Sequence, residues 1–162
     1  MKQISKTEKA TFGAGCFWHV QLAFDGLKGV VKTEVGYMGG KMDNPTYEDV
    51  CTDETGHVEV CQVEFDPSKI TYAKLLDAFW KMHNPTQMNR QGPDVGTQYK
   101  SVIFYHSDSQ KKTAMESKHN LEKSGKYSKP IETSIEKSAI FYLAEDYHQK
   151  YLKKRGMKTC SI

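Results

Sequence analysis

The stretch Ala10-Thr11-Phe12-Gly13-Ala14-Gly15-Cys16-Phe17-Trp18-His19-Val20-Gln21-Leu22-Ala23-Phe24-Asp25-Gly26-Leu27 changes its hydrophobic period in the middle. Up to Ala14, apolar Ala10, Phe12 and Ala14 alternate with Thr11 and Gly13, the period of a short buried strand. After Cys16, Phe17, Val20, Phe24 and Leu27 recur at helical spacing, and Gly26 suits a C-terminal stop. A strand therefore runs directly into a helix across Gly15-Cys16.

Outward from that junction the same test finds the other elements. Val31, Thr33, Val35 and Tyr37 alternate as a strand. Residues 58–65 form another with unlike faces: Glu59, Cys61, Val63 and Phe65 on one side, Val58, Val60, Gln62 and Glu64 on the other. Tyr72, Leu75, Leu76, Phe79 and Trp80 mark an amphipathic helix. Gln98 to His106 reads as a strand, and Ser107-x-x-Gln110 starts a polar helix reaching about Lys123. Ile131, Thr133 and Ile135 suggest one more strand, and Ala144 to Lys154 a last helix with Tyr147 and Tyr151 four apart. Met38 to Thr55 and residues 83–97 read as long loops, which in a small domain are often functional. The order predicts an α+β two-layer sandwich with a ferredoxin-like split βαβ core and a C-terminal extension. One domain over residues 1–162 is expected, with a mobile tail from about residue 153.

Composition narrows the function classes. The chain has 162 residues, 38% of them hydrophobic and 27% charged, with a net charge of +3. That balance is too mild to argue for nucleic acid as a main partner. No run of about 18 apolar residues is present, so no membrane span is expected, and no signal peptide is legible at Met1–Lys6. The cysteines are Cys16, Cys51, Cys61 and Cys160. They include no Cys-x-x-Cys pair, and the histidines include no His-x-x-x-His pair, so no metal site and no cofactor are expected. Reduced thiols in a cytoplasmic, monomeric protein are the expectation, with Cys51 and Cys61 as packing residues.

Gly13-Ala14-Gly15-Cys16-Phe17-Trp18 admits three functional readings. A dinucleotide fingerprint needs a glycine where Trp18 stands, and the indole would block close helix–strand packing. A phosphate-binding cysteine loop needs arginine six residues beyond Cys16, where Leu22 stands. The third reading is a nucleophilic thiol, its pKa lowered at a helix N-terminus by the dipole and unpaired N–H groups. Against it stands a cysteine that only fills the turn. Glu59 shares a strand face with Cys61, Val63 and Phe65; it is either a rim acid paired with lysine or a desolvated carboxyl poised to donate a proton. From the residues alone both pairs of alternatives stay open.

The ordered blocks Gly15-Cys16-Phe17-Trp18, Gly36-Tyr37-Met38-Gly39-Gly40, Pro45-Thr46-Tyr47-Glu48-Asp49-Val50-Cys51 and Thr55-Gly56-His57-Val58-Glu59-Val60 resemble the A class of peptide methionine sulfoxide reductases. So do His83-Asn84-Pro85-Thr86-Gln87, Asn89-Arg90-Gln91-Gly92, Asp94-Val95-Gly96-Thr97-Gln98-Tyr99 and Ala144-Glu145-Asp146-Tyr147-His148-Gln149. The resemblance spans residue 12 to about 151. The chain departs from the family's usual pattern at His19 (Gly), Gln21 (Glu), Asn84 (Asp) and Pro93 (Asn), none of them a residue the chemistry requires.

The resemblance implies a role for each matched residue. Cys16 would attack the sulfoxide sulfur and leave as a sulfenic acid, with Glu59 protonating the oxygen. Tyr47 and Tyr99 would hydrogen-bond that oxygen, Phe17 and Trp18 would hold the substrate methyl, and Asp94 would line the site. It also implies the S epimer as substrate, free or in oxidised proteins, since sulfoxide repair uses one enzyme per epimer. Cys160 would resolve the sulfenic acid as an intramolecular disulfide, recycled by thioredoxin. Eight residues beyond Leu152 can span roughly 26 Å, enough reach for that step. The Lys150–Lys158 charges read as a solvated tail. The rival enzyme is a cysteine-nucleophile hydrolase, which needs a histidine partner for Cys16 and an orienting Asn or Asp. The non-enzymatic rival is a ferredoxin-like binding module with inert cysteines.

Overall fold

Val58–Phe65 (β3), the strand with unlike faces, is buried along most of its length and pairs antiparallel with two others. Glu8–Ala14 (β1) lies on one side and Val30–Met38 (β2) on the other. Ser101–Tyr105 (β6) adds to the free edge of β1. With Phe17–Asp25 (α1) between β1 and β2, and Tyr72–Lys81 (α3) between β3 and β6, this is the split βαβ core. Ser134–Lys137 (β7) extends the sheet parallel to β6, and Tyr142–Leu143 (β8) pairs antiparallel with β2. The resulting order is β7-β6-β1-β3-β2-β8. This computed structural model describes residues 6–156.

The helices cover one face. Phe12 of β1 sits at the centre of that layer, fully buried, with ring centroids 5.0 Å from Phe24 of α1 and 5.2 Å from Phe79 of α3. Cys61, Val63 and Phe65 of β3 join them, as their shared face requires. On the opposite face Val58 and Val60 pack with Met38, Val102 and Phe104 under Phe141. Asp108–Lys123 (α4) begins as expected at Ser107, whose hydroxyl accepts from Gln110 N at 3.2 Å.

Four expectations need correction. The first loop contains a short helix, Tyr47–Cys51 (α2), started by a capping box in which Thr46 and Asp49 satisfy each other's backbone N–H groups. The second loop folds back on itself as a hairpin of Arg90–Gln91 (β4) and Asp94–Val95 (β5), turning at Gly92 with φ +58°. The strand expected from Gln98 starts only at Ser101, because Thr97–Tyr99 form a 3₁₀ turn. The last helix is broken: a 3₁₀ turn at Asp146–His148 precedes Lys150, at φ 57°, and only Tyr151–Lys154 (α5) is α-helical. Tyr147 and Tyr151 therefore do not share a helix face.

Side-chain bonds to distant backbone override the local helical pattern there. The Gln149 amide donates to Val35 O at 2.9 Å and accepts from Val35 N at 3.0 Å. Gln21 donates to Thr33 O and accepts from Lys150 N at 2.8 Å. An amide can donate and accept at once, so the one Gln21 side chain ties β2 to the backbone of Lys150. Lys150 Nζ adds a 2.6 Å bond to Asp25.

Truncating the ring at the centre of the helix layer tests this packing. Phe12→Ala is expected to lower stability by about 3–5 kcal/mol, through lost transfer energy and a cavity. Denaturant unfolding should show a lower midpoint with an unchanged slope.

Candidate active site

Cys16 is the N-cap of α1. Gly15 before it has φ +89°, and a Cβ there would come within 2.8 Å of the Gln91 side chain. Glycine thus permits both the turn and the close approach of the β4–β5 hairpin. Gln91 holds that hairpin by two 2.9 Å bonds to the backbone of Asn84. Asp94, on β5, is thereby placed near enough to act by its charge on Cys16, Glu59 and Tyr99.

Glu59 stands near the start of β3, beyond the last β1 pair, Phe12 with Cys61. It is 1% exposed, so it is the desolvated carboxyl and not the rim acid. Phe17 N, in the first turn of α1, donates to Oε1 at 3.3 Å, while Oε2 has no hydrogen-bond partner among the described residues. Burial and, less strongly, the Asp94 charge push its pKa up to about 8, against the Phe17 N–H.

The thiol departs from the expectation of a lowered pKa. Cys16 is pushed up to about 12, by burial first and by the Glu59 charge second; the Trp18 and His19 backbone N–H groups oppose both without overcoming them. Helix-end groups lower a pKa only where desolvation is smaller than their own effect. Cys51 also differs from expectation, being exposed at the end of α2, where the Tyr47 hydroxyl bonds to its sulfur. Cys61 is buried in the core, as expected. Cys160 lies outside the described residues.

Two loops carry the phenols to this point. Thr97 N donates to Asp53 Oδ1 at 2.8 Å, tying the turn that bears Tyr99 to the segment just after α2. His57 accepts from Gly40 N at 3.0 Å and bonds Met42 O at 2.7 Å, fastening the loop before α2. Tyr47 and Tyr99 are both raised by burial and by the Glu59 charge. Phe17 is fully buried, 6.5 Å from the Tyr47 ring, and Trp18 is half-buried beside Tyr151 at 3.8 Å. The structure thus gathers Cys16, Glu59, Tyr47, Tyr99, Asp94, Phe17 and Trp18 about the start of α1.

Two residues of the site were not singled out from sequence. Glu145 accepts from Tyr37 Oη and from Tyr47 N, each at 2.9 Å, and so clamps the start of α2. His148 accepts from the Trp18 indole at 2.9 Å. Both belong to the block Ala144–Gln149; the Tyr147/Tyr151 spacing suggested a helix face there, which hid their inward roles. The acids Glu59 and Asp94 are the side chains whose charge acts on Cys16. A hydrolase would need an imidazole paired with Cys16; His148 instead takes the Trp18 indole N–H at 2.9 Å, and the buried His83 faces Ser101 at 2.7 Å. Among the described residues no group of three or more His, Cys, Asp or Glu could hold a metal.

A helix-start thiol facing a protonated buried acid and two phenols defines a class, the thiol enzymes that reduce an oxygen-bearing centre. The particular family follows from likeness to known proteins. Residues 8–162 match the family described as peptide methionine sulfoxide reductase. A peptide methionine sulfoxide reductase MsrA of Methanothermobacter thermautotrophicus is 59% identical over 162 residues, all of this chain and 96% of the relative. The reduced form of Mxr1 from Saccharomyces cerevisiae superposes with TM-score 0.89 at 34% identity, covering 99% of this chain and 92% of that one. Mxr1 in complex with Trx2 matches with TM-score 0.64 at 26% identity, covering 93% and 88%. The chain belongs to the peptide methionine sulfoxide reductase family, in its A class, whose reaction is the reduction of methionine sulfoxide.

Thiol reactivity follows thiolate fraction and access. Alkylation by iodoacetamide near neutral pH should therefore label exposed Cys51 before half-buried Cys16, and leave Cys61 unlabelled while the protein is folded. Mass mapping of the labelled peptides reads the order. Cys16 labelled first would restore a thiol activated by the helix end.

Proposed function

We propose that this site reduces the S epimer of methionine sulfoxide, free and in proteins. In the first step Cys16 sulfur attacks the sulfoxide sulfur, and the oxygen passes to Cys16. Glu59 gives its proton to that oxygen while Tyr47 and Tyr99 hydrogen-bond it; the Cys16 proton then replaces the one Glu59 gave. The products are methionine and a Cys16 sulfenic acid, with no net proton consumed. Phe17 and Trp18 take the substrate methyl, and burial, aided by the Asp94 charge, keeps Glu59 protonated. Cys160 then attacks the sulfenic sulfur, releasing water and forming a Cys16–Cys160 disulfide. Thioredoxin reduces it; the family relative Mxr1, seen in complex with Trx2, supports that partner.

We read the chain as one monomeric cytoplasmic domain over residues 1–162, its tail from about 153 carrying Cys160. Among the described residues no helix is long and apolar enough to cross a membrane. The observation that carries the catalytic reading is the Glu59 carboxyl: buried, with its pKa raised to about 8 and Oε2 without a partner among the described residues.

Its test is Glu59→Gln, which keeps shape and a donor but has no proton to give. Loss of general-acid help typically lowers the rate about 10²–10⁴-fold. Because the carboxyl acts while protonated and its folded pKa is raised, wild-type activity on the S sulfoxide should be full below about pH 8 and fall as pH rises through that value. A variant with the wild-type rate and pH profile would remove Glu59 from the mechanism.

Recycling has its own test. Cys160→Ser should reduce one sulfoxide per protein and then stop with thioredoxin, while still turning over with dithiothreitol. Cys51→Ser should turn over with thioredoxin as the parent does. The reverse pattern would hand the resolving role to Cys51, whose sulfur bonds the Tyr47 hydroxyl.

A further inference from the structure

Glu145 divides its two oxygens between two donors. Tyr37 Oη donates to Oε1 at 2.9 Å, and Tyr47 N donates to Oε2 at 2.9 Å. Tyr37 stands in β2 directly opposite Glu59 of β3; it is 0% exposed, with its ring 5.8 Å from that of Phe17. Tyr47 is the first residue of α2, and of the five residues in that helix only Val50 is buried. The capping box joins Thr46 to Asp49 within the same turn, so it shapes the helix without tying it to the sheet. Glu145 makes that tie at the front of α2. One carboxyl group therefore joins the strand facing the buried acid to the helix that carries a phenol of the site.

Burial alone would raise the Glu145 pKa, but the Tyr47 N–H, its own backbone N–H and the Tyr37 hydroxyl outweigh it, and the net shift is downward. The group is ionised at neutral pH and accepts on both oxygens. The shift of Glu59 has other causes: burial, opposed by the Phe17 N–H, and the Asp94 charge. Glu145 therefore leaves the acidity of Glu59 to those groups and acts on the site by position.

We propose that Glu145 is a positioning residue for the reaction: anchored on Tyr37, it holds the Tyr47 backbone so that the Tyr47 phenol is aimed at the sulfoxide oxygen. The proposal rests on the reading of Tyr47 as a hydrogen-bond donor to that oxygen. Glu145 touches no reacting atom. Its loss should slow the chemical step through Tyr47, and leave the contributions of Tyr99 and Glu59 in place.

Two phenols serving one oxygen can cover for each other, so the test isolates each in turn. Glu145→Leu, close in size but without an acceptor, is made in a Tyr99→Phe chain, which keeps Tyr47, and in a Tyr47→Phe chain, which keeps Tyr99. Single-turnover release of methionine from methionine S-sulfoxide reads the chemical step before any reductant acts. Glu145→Leu is expected to slow that release about tenfold in the Tyr99→Phe chain and less than about twofold in the Tyr47→Phe chain. Glu145→Gln, whose amide oxygen can still take the Tyr47 N–H, should recover most of the rate in the Tyr99→Phe chain. Equal losses in both chains, or no loss in the Tyr99→Phe chain, would overturn the proposal. Should Glu145→Leu fail to fold, Tyr37→Phe removes the anchor alone: a loss of about threefold confined to the Tyr99→Phe chain bears the proposal out, and any other pattern ends it. A Tyr47→Phe/Tyr99→Phe chain that releases methionine at the parent rate would remove the phenol reading itself, and this proposal with it. A slow double variant beside equal Glu145→Leu losses removes this proposal alone.

Discussion

A carboxyl held out of water beside a backbone donor is the constraint around which this molecule is arranged. Among the described residues Glu59 has one long bond, from Phe17 N, and its second oxygen has no partner. Ionised in that place it would lose several kcal/mol of solvation, far more than one N–H returns. The lower-energy state near neutrality is the protonated acid, and Asp94 shifts the balance the same way. A proton donor is thereby available at a pH where an exposed glutamate is almost wholly ionised. The neighbouring thiol benefits too, since a neutral Glu59 removes the second-largest cause of its raised pKa.

Keeping that carboxyl dry requires the chain to close over it from several directions, and the topology supplies them. The end of β1, the start of β3 and the start of β6 lie together, as the Ala14–Ser101 and Phe12–Cys61 pairings show. The loops that leave them therefore meet over one spot. Each is fastened by side-chain bonds to backbone: His57 to the loop before α2, Asp53 to the turn of Tyr99, Gln91 to Asn84, and Glu145 to the start of α2. Loops so tied would hold the proposed catalytic groups with little reorganisation when substrate arrives, which is where preorganised sites gain their rate.

The parts legible from sequence were those where side-chain period and local structure agree. Phe12 with Phe24 and Phe79, and the unlike faces of β3, follow from burial pattern alone, and the core order follows from them. The misread parts are those where a long-range bond competes with local preference. Ala144 to Lys154 has helical spacing, yet Gln149 and Lys150 reach β2 and α1, and those bonds break the helix. The capping box at Thr46-x-x-Asp49 was a readable signal, hidden by the Gly, Pro, Asn and Asp around it. Cys16 was placed correctly, but the sign of its shift was not: the helix end is a local feature visible in sequence, whereas depth of burial depends on loops that arrive from elsewhere.

That reversed sign also bears on how the proposed first step must run. A free thiolate in this pocket would lack water and face two acids, so a mechanism that ionises Cys16 in advance starts from a scarcely populated state. Attack coupled to proton movement avoids it. As the Cys16 sulfur approaches the sulfoxide sulfur, negative charge collects on the oxygen, where Glu59 can deliver its proton. The carboxylate so formed is the base that the thiol proton needs. Cys16 and Glu59 are then never both ionised at once. The pairing of a thiol near 12 with an acid near 8 then gives an economical arrangement: each group is protonated at rest, and each is ionised only as the other's chemistry requires. Isolated from its neighbour, neither group would be well suited to the work; the dry space between them makes the proton transfer local and leaves the sulfoxide oxygen as its acceptor.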